Sequence, residues 1–137
     1  MLTSVLLALT TYVNPIDVNY HVIRGSRYDQ HESPADPEVV RHDGHYWLFA
    51  SKSDGYFKSD DLARWQWIRT KDLPTTEWAP TVEAIGGKLH YTARGGTVHR
   101  AVDLGAGKWE KLPVKVDYSA DAALFMNADG RLYYYWG

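Results

Sequence analysis

The chain has 137 residues, of which 45% are hydrophobic and 14% aromatic, with a formal net charge of −2 and no cysteine. That length suits one domain and that apolar content supports a packed core, which excludes a disordered chain. The near-neutral charge leaves no footprint for nucleic acid or an anionic membrane, and without cysteine neither a disulfide framework nor a thiolate metal site can form.

The chain begins "MLTSVLLALTTYV", with an apolar run at Val5 to Leu9. The run is too short to span a bilayer. A secretory signal would start with Lys or Arg and end in small residues, whereas the first basic residue is Arg24 and no A-x-A site follows. An N-terminal strand, or a start within a longer reading frame, is expected ahead of a clipped signal peptide. The lack of cysteine does not place the protein in the cytosol. Localisation stays open, with a secreted or periplasmic one favoured.

From residue 33 onward a pattern repeats. "SPADPEVVRHDGHYWLFAS" (33–51) places Asp36 before a strand, a turn at Asp43-Gly44 and an aromatic return strand. "WAPTVEAIGGKLHYTA" (78–93) has the same shape around Gly86-Gly87, and "ADAALFMNADGRLYYYWG" (120–137) repeats it around Asp129-Gly130. Asp36, Ala79 and Asp121 align at steps of 43 and 42 residues. Between the hairpins, "GYFKSDDLARWQWI" (55–68) and "GTVHRAVDLGAGKWEKL" (96–112) each supply a strand, an Asp-Leu, a short gap, a Trp and another strand. No long helical period stands out, and turn residues punctuate short apolar runs as in all-β domains.

The expected strands are 38–42, 45–51, 54–59, 65–69, 81–85, 88–93, 96–101, 108–112, 123–127 and 131–136. The three Gly-containing turns suit positive φ. A repeat of roughly 40–50 residues built from four short strands is the signature of a β-propeller blade. The expected division is a lead-in over 1–35, a first blade over 36–78, a second over 79–120 and the start of a third over 121–137, all in one partial domain. About two and a half blades fall short of the roughly 4 to 8 that close a ring. The expectation is therefore a piece of a longer protein, or several copies completing a ring, with self-association through unpaired blades.

The ordered set of Ala35-Asp36-Pro37, "YWLFASKSDGYFKSDDLARW", Trp78-Ala79-Pro80, and Asp121 followed by "ADGRLYYYWG" resembles the N-terminal half of a family 43 glycoside hydrolase. "NPIDVNYHV" (14–22) resembles the approach to the first blade in some bacterial members, so the likeness runs from about 14 to 137. It implies a five-bladed propeller whose axial pocket takes a carbohydrate. It also implies inverting cleavage of arabinosyl, xylosyl or galactosyl linkages, with no cofactor. Inversion needs one carboxylate to activate water and a carboxylic acid to protonate the leaving oxygen, set ~6.5–9.5 Å apart. By resemblance Asp36 takes the general-base position. Asp121 takes that of a third acid, which tunes the pKa of the proton donor and orients it. Asp121 departs from the family's Asp-Pro in being followed by Ala122. The family's donor is a Glu on a later blade, so the isolated chain is expected to be inactive. The alternative is a non-catalytic sugar-binding or assembly propeller.

Each residue has a plainer reading. Asp36 before proline is a turn signal, and Asp121 could bond nearby backbone. Trp78 is a candidate sugar platform or a packing residue, while Trp65, Trp67 and Trp109 recur beside the Asp-Leu turns as blade packing. Tyr133, Tyr134 and Tyr135 alternate across a strand, so only some can face a pocket. Glu77 and Glu83 do not match the donor pattern. His21, His31, His42, His45, His90 and His99 show no metal-binding spacing, so no metal is expected, and His31 and Glu32 read as solvated loop residues. The stretch Ser59 to Trp65 lacks the Gly of a sialidase Asp-box.

Overall fold

The computed structural model describes residue 18, residues 35–114, residue 116 and residues 120–137. The N-terminal strand, "NPIDVNYHV" apart from Val18, His21, His31 and Glu32 lie outside the described residues. Among those described, every regular element is a strand: β1 Glu38–His42, β2 His45–Phe49, β3 Gly55–Ser59, β4 Gln66–Arg69, β5 Thr81–Ile85, β6 Lys88–Thr92, β7 His99–Asp103, β8 Lys108–Lys111, β9 Ala123–Met126 and β10 Leu132–Tyr135. They form two four-stranded antiparallel sheets, β1-β2-β3-β4 and β5-β6-β7-β8, and a two-stranded sheet of β9 and β10. The up-and-down order within each four-stranded sheet is that of a propeller blade.

Turn chemistry sets the registers. Asp43 and Gly44 (φ 49° and 78°) close β1 onto β2 as a two-residue turn with both φ positive, the type whose twist matches that of the strands. Gly86 and Gly87 (φ 56° and 74°) do the same between β5 and β6. Phe49 thereby pairs with Glu38, and Tyr91 with Val82.

The third turn differs from expectation. Only Gly130 (φ 81°) is left-handed there. The Gly130 N–H donates to the Asn127 carbonyl at 2.9 Å, and the Asn127 N–H to the Arg131 carbonyl at 2.9 Å. The hairpin is thus one residue longer, with Gly at the bulge position. β7 is also displaced from the expected 96–101. Gly95 and Gly96 take φ of 100° and 75°, so the chain is still turning there, and pairing starts where His99 meets Tyr91.

The core lies between the two four-stranded sheets. Period-two alternation points Trp47 and Phe49 of β2 to one face, where they join Tyr56 and Ile68 against Val82, Leu89, Tyr91, Ala101 and Trp109 of the second sheet. The rings interlock: Phe49 stacks on Tyr56 at 4.9 Å, and Trp109 meets Tyr56 edge-on at 5.8 Å. Each such pair adds about 0.5–1.5 kcal/mol beyond area burial. The Tyr56 hydroxyl donates to the Leu104 carbonyl at 2.6 Å and accepts from Trp109 Nε1 at 3.3 Å, tying the sheets together. At another seam the Thr70 hydroxyl donates to the Gly107 carbonyl at 2.7 Å. A Cβ on Gly107 would stand 2.2 Å from the Arg69 carbonyl oxygen, so only glycine fits that approach.

Of the three tryptophans expected to pack blades, only Trp109 enters this core. Trp67 is half-buried on β4. Trp65 is half-buried too, donates from Nε1 to the Leu62 carbonyl, and lines a surface cleft with Lys58, Asp60 and Arg64. The Asp-Leu turn it follows is organised by Asp61, which accepts from the Ala63 and Arg64 N–H groups at 3.0 and 2.8 Å. The Arg64 N–H, then the Arg64 guanidinium, hold the exposed Asp61 carboxyl well below the usual carboxylate range.

Candidate active site

The first strands of the three sheets, β1, β5 and β9, lie side by side, β1 against β5 and β5 against β9. The N-terminal ends of β1 and β5 meet directly. The Glu38 carboxyl accepts hydrogen bonds from the Val82 backbone and the Thr81 hydroxyl. Burial pushes the Glu38 carboxyl above its ordinary value, against the lowering effect of those two bonds.

Two residues before each first strand stands a residue in the left-handed region: Asp36 at φ 51°, Ala79 at 49° and Asp121 at 48°. None is glycine, so each is a strained position for an L-residue, though least so for Asp. A backbone bond recurs with them. The Ser51 N–H donates to the Ala35 carbonyl, the Arg94 N–H to that of Trp78, and the Gly137 N–H to that of Ala120, at 2.9, 3.0 and 3.3 Å. Each bond ties the residue before the left-handed position to the chain leaving the second strand of its sheet.

Asp36 is exposed, yet one of its oxygens is held. Ser51, only 1% exposed, donates from Oγ to Asp36 Oδ2 at 2.7 Å. The same Oγ accepts the Ala79 N–H at 2.9 Å. Among the described residues nothing hydrogen-bonds to Asp36 Oδ1. Asp121 is also exposed and has no hydrogen-bond or ion-pair partner among the described residues. Trp78 is half-buried beside Ala79, and the Lys52 ammonium lies 4.2 Å from its ring centroid. One face of the expected sugar platform therefore already carries a cation–π contact.

Tyr133 and Tyr135 stack at 6.2 Å on one face of β10, both exposed, while the half-buried Tyr134 packs with Trp136 on the other. Glu77 serves through its backbone, its carbonyl accepting the Lys52 N–H at 3.2 Å. Among the described residues no three His, Asp or Glu side chains converge as a metal site would require.

Sequence reasoning did not single out Ser51, Lys52 or Glu38. Ser51 was within reach, because it stands at the end of the second strand of its hairpin in the aligned repeat, where Arg94 and Gly137 stand in the others. The left-handed conformation of Lys52 (φ 52°) leaves no mark in the sequence.

No family model matches the chain, and no curated protein does. Solved structures do. The chain is similar to a bifunctional GH43-CE protein of Bacteroides eggerthii, with TM-score 0.65, 18% identity, 92% of this chain covered and 20% of that one. It is similar to an alpha-L-arabinofuranosidase, CtGH43, of Clostridium thermocellum, with TM-score 0.56, 18% identity, and 79% and 48% covered. It is also similar to a GH43 protein of Bacillus licheniformis, with TM-score 0.62, 16% identity, and 92% and 29% covered. The chain spans less than half the length of each. Over that span, it has the β-propeller fold of the family 43 glycoside hydrolases.

Proposed function

We propose that the chain is part of the catalytic domain of an inverting glycoside hydrolase acting on arabinosyl, xylosyl or galactosyl linkages of plant-type saccharides. The division into blades at 36, 79 and 121 is part of this reading. One observation carries it: an acid in a strained left-handed conformation just ahead of β1, with one oxygen held by a buried serine and the other without a hydrogen-bond partner among the described residues. Strain of this kind collects at functional sites. In this reading Asp36 is the general base and takes a proton from water on Oδ1. Asp121 tunes and orients the proton donor, and Trp78 contacts the sugar. Solved relatives whose names include an alpha-L-arabinofuranosidase and a GH43_1 enzyme complexed with xylose support a carbohydrate substrate.

The positions that align before β1, β5 and β9 hold Asp36, Ala79 and Asp121, with no Glu among them. The 137-residue chain by itself is therefore expected to hydrolyse aryl arabinosides and xylosides at background, since positioned proton transfer contributes about 10²–10⁴-fold. In a longer polypeptide that joins this sequence to a donor Glu, Asp36→Asn is expected to abolish turnover with the fold intact. Asp121→Asn is expected to shift the acid-dependent arm of the pH profile downward. Strong hydrolysis by the 137-residue chain that survives Asp36→Asn would overturn the assignment. The second reading, a non-catalytic sugar-binding propeller, draws on Ala79, which gives the second sheet no acid. Sugar binding without turnover in the longer polypeptide would select it.

A further inference from the structure

The backbone bond shared by the three sheets isolates one feature that is not shared. Ser51, Arg94 and Gly137 make the same main-chain contact at the end of the second strand, so the fold at that point does not require a hydroxyl. Only the first sheet has one there, and it faces the acid read as the base. The Ser51 side chain is buried, accepts from the Ala79 N–H and donates to Asp36 Oδ2. A hydroxyl can accept and donate at once, and here the Ala79 N–H fixes the oxygen while the proton points at the carboxylate. Ala79 takes the left-handed conformation of its aligned acids, but contributes a backbone N–H in place of a side chain.

We propose that Ser51 is a positioning residue: its hydroxyl, oriented by the Ala79 N–H of the next sheet, locks the Asp36 carboxylate in one rotamer with Oδ1 presented to the reacting water. The catalytic meaning of this lock rests on the reading of Asp36 as general base; the lock itself does not. An exposed aspartate otherwise exchanges among staggered χ1 wells. A base has to be held within about 0.5 Å of its productive geometry, since a misplacement of about 1 Å can cost about 100-fold.

The test is NMR on the full 137-residue chain. It reads the Hα–Hβ couplings of Asp36 and the amide exchange rate of Ala79 in wild type, Ser51→Ala, Ser51→Cys and Ser51→Thr. Wild type is expected to show two unequal Asp36 couplings, the mark of one rotamer. Ser51→Ala is expected to average them and to speed Ala79 exchange roughly three- to tenfold, the equivalent of one modest hydrogen bond. Ser51→Thr is expected to restore both. Ser51→Cys is nearly isosteric but a weak donor and acceptor, so it is expected to move in the alanine direction and serves if the alanine variant does not fold. Wild-type couplings and exchange in a folded alanine or cysteine variant would overturn the proposal. An unlocked Asp36 in Ser51→Ala, together with unchanged turnover on Asp36→Asn in a longer active polypeptide, would keep the lock and remove the catalytic reading.

Discussion

Asp36 and Ala79, 43 residues apart, hold the same left-handed backbone conformation, with φ of 51° and 49°. Aspartate tolerates that region through local hydrogen bonding; alanine has nothing to offset the clash of its Cβ. Ala79 stays there because its N–H is held by Ser51, the Trp78 carbonyl before it by the Arg94 N–H, and the chain after it by β5, which starts at Thr81.

Ala79→Gly is therefore expected to stabilise the chain. Relief of the left-handed strain is worth roughly 1–2 kcal/mol, and the added freedom of the unfolded glycine costs about 0.4–1 kcal/mol. The net gain is between zero and about 1.6 kcal/mol, read as a higher urea midpoint at constant slope. A lower midpoint would show that the Ala79 methyl contributes packing that outweighs its strain.

Tyr56→Phe keeps the ring stack on Phe49 but strands the Leu104 carbonyl and the Trp109 indole N–H. An unmatched buried polar group costs about 1–3 kcal/mol, and a loss in that range is expected on chemical denaturation. Burial pushes the Tyr56 hydroxyl from its ordinary 10.0 up to about 12. The neutral form is thus favoured in the folded state. Its contribution is complete below about pH 10 and is lost as pH rises toward 12. The phenylalanine variant should lack this alkaline decline, as melting temperatures between pH 9 and 11 would show.

His90 and His99 are both buried, and burial lowers the pKa of each from 6.5. Their unfolded forms take up protons first on acidification. The stability present above about pH 6.5 is therefore lost as pH falls through the lower folded values. Melting temperature is expected to drop between pH 7 and 5. His99→Phe, which keeps a ring beside Tyr91, should make that drop shallower. An unchanged slope would assign the acid sensitivity elsewhere.

The β9–β10 sheet shows Phe125, Tyr133 and Tyr135 on one face at 51%, 36% and 55% exposure, a row of aromatic rings of the kind that favours association. Self-association that rises with concentration is expected by light scattering. Tyr135→Lys, which places a charge on that face and at the sheet edge, should weaken it. A monomer at all concentrations would show that this face stays solvated.

All ten described strands were legible in the sequence, because the two-residue alternation and the Asp-Gly and Gly-Gly turns are local signals that tertiary context did not override. β1 and β5 match their expected limits, since each is bounded by a positive-φ turn on one side and an aligned left-handed residue on the other. β7 was misplaced by its glycines, which looked like strand and proved to be turn. The alignment of Asp36, Ala79 and Asp121 was also readable, because a repeat conserves spacing. What joins them was not. Ser51 reaches Asp36 across 15 residues and Ala79 across 28, and Tyr56 reaches Trp109 across 53. The first of these lies within one hairpin, but the other two depend on how one sheet stacks on the next. Periodicity within a sheet carries no information about that stacking, so only the tertiary structure decided which side chains meet at the site.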